Sequence, residues 1–130
     1  MLYRLSFGYI KKLSENTAEV IVNNNVTFTL EMVEEYETFL QQHYSNKLGI
    51  LVNKINRYTY TPEAQLCIGS LSNIAAFAIV HYHPFDAKQT NILAHARSVD
   101  KLNMKTFDGY QLGRECALNW LKLELQNCHS

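Results

Sequence analysis

Hydrophobic and polar positions change period several times along the chain, and those changes predict the order of its elements. Over residues Tyr3–Leu13, the side chains Tyr3, Leu5, Phe7 and Tyr9 recur every second position and are followed by Ile10, the pattern of a strand with one buried face. Ser14-Glu15-Asn16 is turn-like. Thr17–Val22 resumes the alternation through Ala18, Val20 and Val22, which predicts an antiparallel pair. Asn23-Asn24-Asn25 reads as a tight turn because Asn tolerates positive φ, and Val26-Thr27-Phe28 as a short extended piece.

The period then lengthens. Val33, Tyr36, Leu40 and Tyr44 fall on one helical stripe, with Thr29 as N-cap, Phe28 and Val33 as the two halves of a hydrophobic staple, and Glu31, Glu34 and Glu35 near the positive end. Glu34, Glu37, Thr38 and Gln41 face elsewhere, and a solvated face is the simplest reading of the acidic residues. Ser45-Asn46-Lys47 closes the helix. Leu48–Ile55 is a short apolar run of the kind buried inside a sheet, and Asn56–Thr61 reads as the polar loop it leads into. Thr61-Pro62 starts a short helix over Pro62–Gly69 with Leu66 and Cys67 pointing inward. Ile74–Tyr82 is the most apolar run and predicts the sheet centre, covered on both faces. A third helix is expected over Ala87–Val99 after the Asp86/Gln89 capping pair, and an edge strand within Lys101–Phe107. Asp108 is expected to cap a fourth helix over Gln111–Gln126, carrying Leu112, Cys116, Ala117, Trp120, Leu121 and Glu124 at helical offsets. The sum is an α/β fold: one domain over residues 1–130, a mixed sheet beginning with antiparallel strands, and four helices.

Composition narrows the function classes. A chain of 130 residues, 47% hydrophobic, suits one domain that removes roughly two thirds of its unfolded surface from water. Twelve Lys and Arg balance twelve Asp and Glu, so no long-range field gathers nucleic acid or an acidic membrane, and neither is expected as a partner. No apolar stretch approaches the ~20 residues of a membrane span. Met1-Leu2-Tyr3-Arg4-Leu5 lacks a charged segment followed by an apolar one, so a cytoplasmic protein is expected. Cys67, Cys116 and Cys128 lie far apart without C-x-x-C spacing, which argues for reduced structural thiols over a disulfide framework or a zinc site. There is no P-loop, nucleophile elbow or glycine-rich fingerprint, and no cofactor is expected.

Candidate chemistry concentrates after two strands. Asn53, Asn56, Arg57, Tyr58 and Tyr60 combine amides, a forked cation and two aromatic faces, and with His81 and His83 they are expected to recognise a protein partner or a small anionic or amphiphilic ligand through the loops after Ile55 and Tyr82. His81 and His83 share one face of a strand end, a usable spacing for two metal ligands; a third would have to come from His95, Asp86 or a Cys. An acid/base pair of His81 or His83 with Asp86 is the alternative that would make the chain a small enzyme. Aromatics left exposed on the first strand or last helix would favour a homodimer.

Leu48-Gly49-Ile50-Leu51-Val52-Asn53-Lys54-Ile55-Asn56-Arg57-Tyr58, followed by Ala75-Ala76-Phe77-Ala78-Ile79-Val80 and an amphipathic helix around Trp120, resembles small bacterial STAS-like proteins, which share the fold of anti-sigma-factor antagonists. The resemblance implies a regulatory or binding domain without catalysis. In the antagonist branch it implies a phosphorylated Ser or Thr at the start of the helix after the central strand, preceded by an Asp. Here Asn53 lies near the acidic position and the nearest hydroxyls, Thr59 and Thr61, are displaced outward by Lys54–Tyr58, so these two are the phosphorylation candidates.

Overall fold

In a computed structural model, residues 2–67, 73–82 and 103–127 are described. Eight strands and three helices are present among them: β1 (Leu2–Leu5), β2 (Gly8–Ser14), β3 (Thr17–Val22), β4 (Val26–Phe28), α1 (Leu30–His43), β5 (Leu48–Lys54), β6 (Tyr58–Tyr60), α2 (Pro62–Cys67), β7 (Ile74–His81), β8 (Met104–Asp108) and α3 (Gly113–Asn127). The helix expected over Ala87–Val99 lies outside the described residues. The fold is α/β, with a mixed six-stranded sheet in the order β1-β2-β3-β5-β7-β8. Its first three strands are antiparallel neighbours, whereas β3, β5, β7 and β8 run parallel.

The opening differs from the single strand expected over Tyr3–Leu13. The chain reverses at Ser6-Phe7 and makes two strands, so the start is a three-stranded meander. Gly8 permits the reversal: its φ is +156°, and a Cβ there would run into the Ile21 carbonyl oxygen. The Ser6 amide and hydroxyl both donate to the Glu35 carboxylate, so one acid of the supposed solvated face anchors this turn to α1. After β3, Asn25 takes the positive φ of 64° expected of the Asn turn.

Helix α1 follows its pattern. The Thr29 hydroxyl accepts from the Met32 amide, and Val33, Tyr36, Phe39 and Leu40 are buried. With α2 and the small parallel β4–β6 pair it covers one face of the sheet over Ile10, Val20, Ile50, Phe77 and Ile79. Thr61 caps α2 through the Ala64 amide, yet the buried residue there is Ala64 and not Leu66, which is 63% exposed. Six residues make too short a helix for its inward face to be read from two apolar positions.

The other face is covered by α3, which packs Ala117 and Leu121 onto Leu51, Ala76, Ala78 and Val80, with Leu125 buried beside Gly49. Ala117 and Leu121 of the expected stripe are buried, whereas Leu112 and Cys116 are exposed, and the buried line runs through Gly113, Ala117, Leu121 and Leu125. Helical start is the reason. Asp108 accepts from the Tyr110 amide and closes a turn instead of capping the helix, and Leu112 at φ 57° then precedes the first helical residue. Strand β7 is apolar and covered on both faces, as expected, but the middle of the sheet falls between β3 and β5, with β8 as the far edge.

Candidate functional site

Parallel β3, β5, β7 and β8 end along one edge of the sheet. Register aligns Lys54, His81 and Asp108 there, so the segments beginning at Ile55, Tyr82 and Gly109 leave side by side. Open α/β sheets hold ligands at this edge.

On the α3 side of the edge a buried carboxylate is held in a charged network. Glu19, in mid-β3 and 3% exposed, accepts from Arg114 Nη2 at 2.9 Å, Arg114 Nε at 3.2 Å and Asn53 Nδ2 at 2.9 Å. Burial alone raises a carboxyl pKa, but the hydrogen bonds from Arg114 and Asn53 and the charges of Arg114 and Lys11 outweigh it, leaving Glu19 below the usual value. The Glu19 contact in turn raises Arg114. Asn53 Oδ1 is buried with no hydrogen-bond partner among the described residues. Beside this network Tyr82 and Tyr110 meet edge to face with centroids 5.6 Å apart, and the Tyr82 ring lies so close over Gly109 that a Cβ at 109 would displace it.

The predicted residues divide between structure and surface. Asn53 is committed to Glu19. Asn56 donates from Nδ2 to the Val22 carbonyl at 3.1 Å, and the Arg57 amide donates to Asn24 Oδ1, so this segment is tied to the Asn turn. Tyr58, Thr59 and Tyr60 were expected in a polar loop but form β6, pairing with Val26, Thr27 and Phe28. The β-branched and aromatic sequence Tyr-Thr-Tyr explains the strand, and a partner distant in sequence explains why local reading misses it. Tyr58 is 5% exposed, so it forms part of the core and offers little contact area. Its hydroxyl lies 3.3 Å from that of half-buried Tyr60, whose pKa is raised by burial against the effect of this hydrogen bond. Both rings flank the ammonium of buried Lys54, at 5.0 and 5.5 Å. Arg57 remains exposed and lines a shallow 270 Å³ recess with Asn25, Val26, Tyr58 and Thr59.

Thr59 is exposed, whereas the Thr61 hydroxyl already caps α2. His81 is half-buried at the end of β7; His83, Asp86 and His95 lie outside the described residues. Among the described residues no three side chains gather as metal ligands. Cys67 is half-buried and Cys116 lies on the exposed side of α3, so the latter is not a core thiol; Cys128 lies outside the described residues. No helix among the described residues is long and apolar enough to cross a membrane.

Sequence reading missed Glu19 and Arg114, which stand 95 residues apart. The available signal was Glu19 itself, a lone charge within the apolar run Ala18–Val22. Compared with protein-family models, curated proteins and solved structures, the chain matches none.

Proposed function

We propose that the chain is a non-enzymatic binding module of STAS-like type that recognises a protein partner at the edge where its parallel strands end. One observation carries the reading. Ile55 at 61%, Tyr110 at 79% and Leu112 at 68% are large apolar side chains left exposed, and all three lie in the segments that follow β5 and β8. Exposed aromatic and aliphatic anchors are what hot spots at protein interfaces use, and Arg57, exposed three residues after β5, adds a side chain enriched there. The Glu19–Asn53–Arg114 network beneath them gives a rigid base, which lowers the ordering cost of association.

A partner protein is favoured over a small ligand at this edge because Tyr58 and Tyr60 are occupied by the core and by Lys54. Phosphorylation of exposed Thr59 would set a dianion beside Arg57 in the same recess, a means of altering the surface that the STAS-like resemblance invites.

The test compares wild-type protein with an Ile55→Ala/Tyr110→Ala double variant in affinity capture from the native host, with light scattering to detect self-association. Loss of a captured partner, or of a dimer, by the folded double variant supports the reading. Retention of every wild-type interaction by that variant removes it.

A further inference from the structure

The sheet is unevenly covered on its α3 side. Helix α3 lies over β5, β7 and β8, while no described helix packs over β2 and β3 on this side. Between α3 and the β2–β3 hairpin runs a groove of 660 Å³, walled by Leu13, Asn16 and Thr17 on one side and by Arg114, Leu118, Lys122 and Leu125 on the other. Small-molecule sites have volumes of roughly 300–1,000 Å³, so this one is large enough to take a ligand.

Its chemistry is amphipathic and single-signed. Leu13 and Leu118 are half-buried, pack against the cluster beneath α3, and with Leu125 form an apolar floor. Arg114, Leu118 and Lys122 recur at four-residue spacing and therefore line up along the helix. At 1.5 Å per residue, the helical wall from Arg114 to Gln126 extends about 18 Å. Among the described residues no Asp or Glu lines the groove, although Arg114 and Lys122 both do. The nearby Glu19 is held by Arg114 and Asn53, and the charge of Lys11 also reaches it. Exposed Lys122 thus leaves a positive excess beside an apolar trough.

We infer that this groove binds a single-chain amphiphilic anion, its chain along Leu13 and Leu118 and its head group at Lys122. Charge selects the occupant: the apolar floor attracts any hydrocarbon, and the cationic wall without carboxylates discriminates by the sign of the head group. A membrane surface is not the source, since the chain has no net charge to draw it to one, so the ligand is the free amphiphile. The inference is independent of the partner-binding edge, because none of Ile55, Arg57, Tyr110 and Leu112 lines the groove.

Calorimetric titration with decanoate, decyltrimethylammonium and acetate separates the contributions of chain and head group. Wild-type protein is expected to bind decanoate below its micelle concentration, and to bind the cationic amphiphile and acetate each about tenfold or more weakly. Lys122→Glu alters an exposed position, so it should melt as wild type and lose about tenfold in decanoate affinity. Ile55→Ala/Tyr110→Ala should bind decanoate unchanged. The proposal is overturned if wild type does not saturate, if both amphiphiles bind equally, or if folded Lys122→Glu keeps wild-type affinity. A dimer that buries Leu118 and Lys122 would give the groove to a second copy and overturn it as well.

Discussion

Glu19 is a charge placed where a strand between two others ordinarily carries an apolar side chain, and its cost is met by three donors instead of by water. Its folded pKa is lowered, so it stabilises the fold fully above its unfolded value near 4.5, and that stabilisation is lost as pH falls through the lower folded value. Glu19→Gln removes the titrating group and the ionic contact to Arg114. Hydrogen bonds to charged groups contribute about 1.5–3 kcal/mol, and because the Arg114 side chain is 41% exposed and can return to water, the lower end is expected at pH 7. Urea midpoints measured from neutral pH into the acid range should therefore differ most at the top and draw together as pH falls below 4.5. A constant difference across that range would mean that Glu19 acts by packing and not by charge. Asn53→Asp should also destabilise near neutrality, by setting a second carboxylate against Glu19, and the loss should be relieved as acid protonates one of the pair.

Among the elements, the β1–β2 turn and the caps of the first two helices show what local sequence can and cannot specify. Thr29 and Thr61 cap their helices as their spacing predicts, because a cap is made within a few residues. Thr29→Ala should cost about 1 kcal/mol, read as a lower urea midpoint with unchanged slope. Gly8 is different: its positive φ and the Ile21 carbonyl across the meander leave no room for a side chain, and the alternation Tyr3, Leu5, Phe7, Tyr9 runs through a turn whose local sign is that glycine alone. Gly8→Ala should destabilise by more than the ~1 kcal/mol that such a replacement gains at a compatible site, since the added methyl both strains φ and meets the Ile21 carbonyl. The same distinction explains the candidate site. The strand ends at Lys54 and His81 were legible from apolar runs, and so was the crowding of Asn, Arg and Tyr after them. That Tyr58 and Tyr60 turn inward, and that Glu19 finds Arg114, depends on pairings 32 and 95 residues away, to which periodicity is blind.

At the scale of the whole molecule, two apolar clusters lie on opposite faces of one sheet, and β5 and β7 contribute to both. Leu48 and Ile50 of β5 face the α1 cluster, while Leu51 belongs to the α3 cluster; Phe77 and Ile79 of β7 alternate in the same way with Ala76, Ala78 and Val80. A strand cannot keep one face ordered after the other has melted, because its side chains alternate along a single backbone. The faces should consequently unfold together. Trp120, the single tryptophan, lies on α3 with its ring 6.0 Å from that of Phe107 and reports one face, whereas near-ultraviolet dichroism is weighted toward the tyrosine-rich α1 face, where Tyr3, Tyr36, Tyr44, Tyr58 and Tyr60 gather. Urea transitions followed by the two signals should coincide. Leu40→Ala, under α1, and Leu121→Ala, under α3, both empty fully buried positions and should each cost about 2–5 kcal/mol. Each should also shift both signals by the same amount, although each touches only one cluster. Separate transitions, or a Leu40→Ala variant that moves the tyrosine signal and leaves Trp120 in place, would show two independently stable layers instead of one cooperative fold.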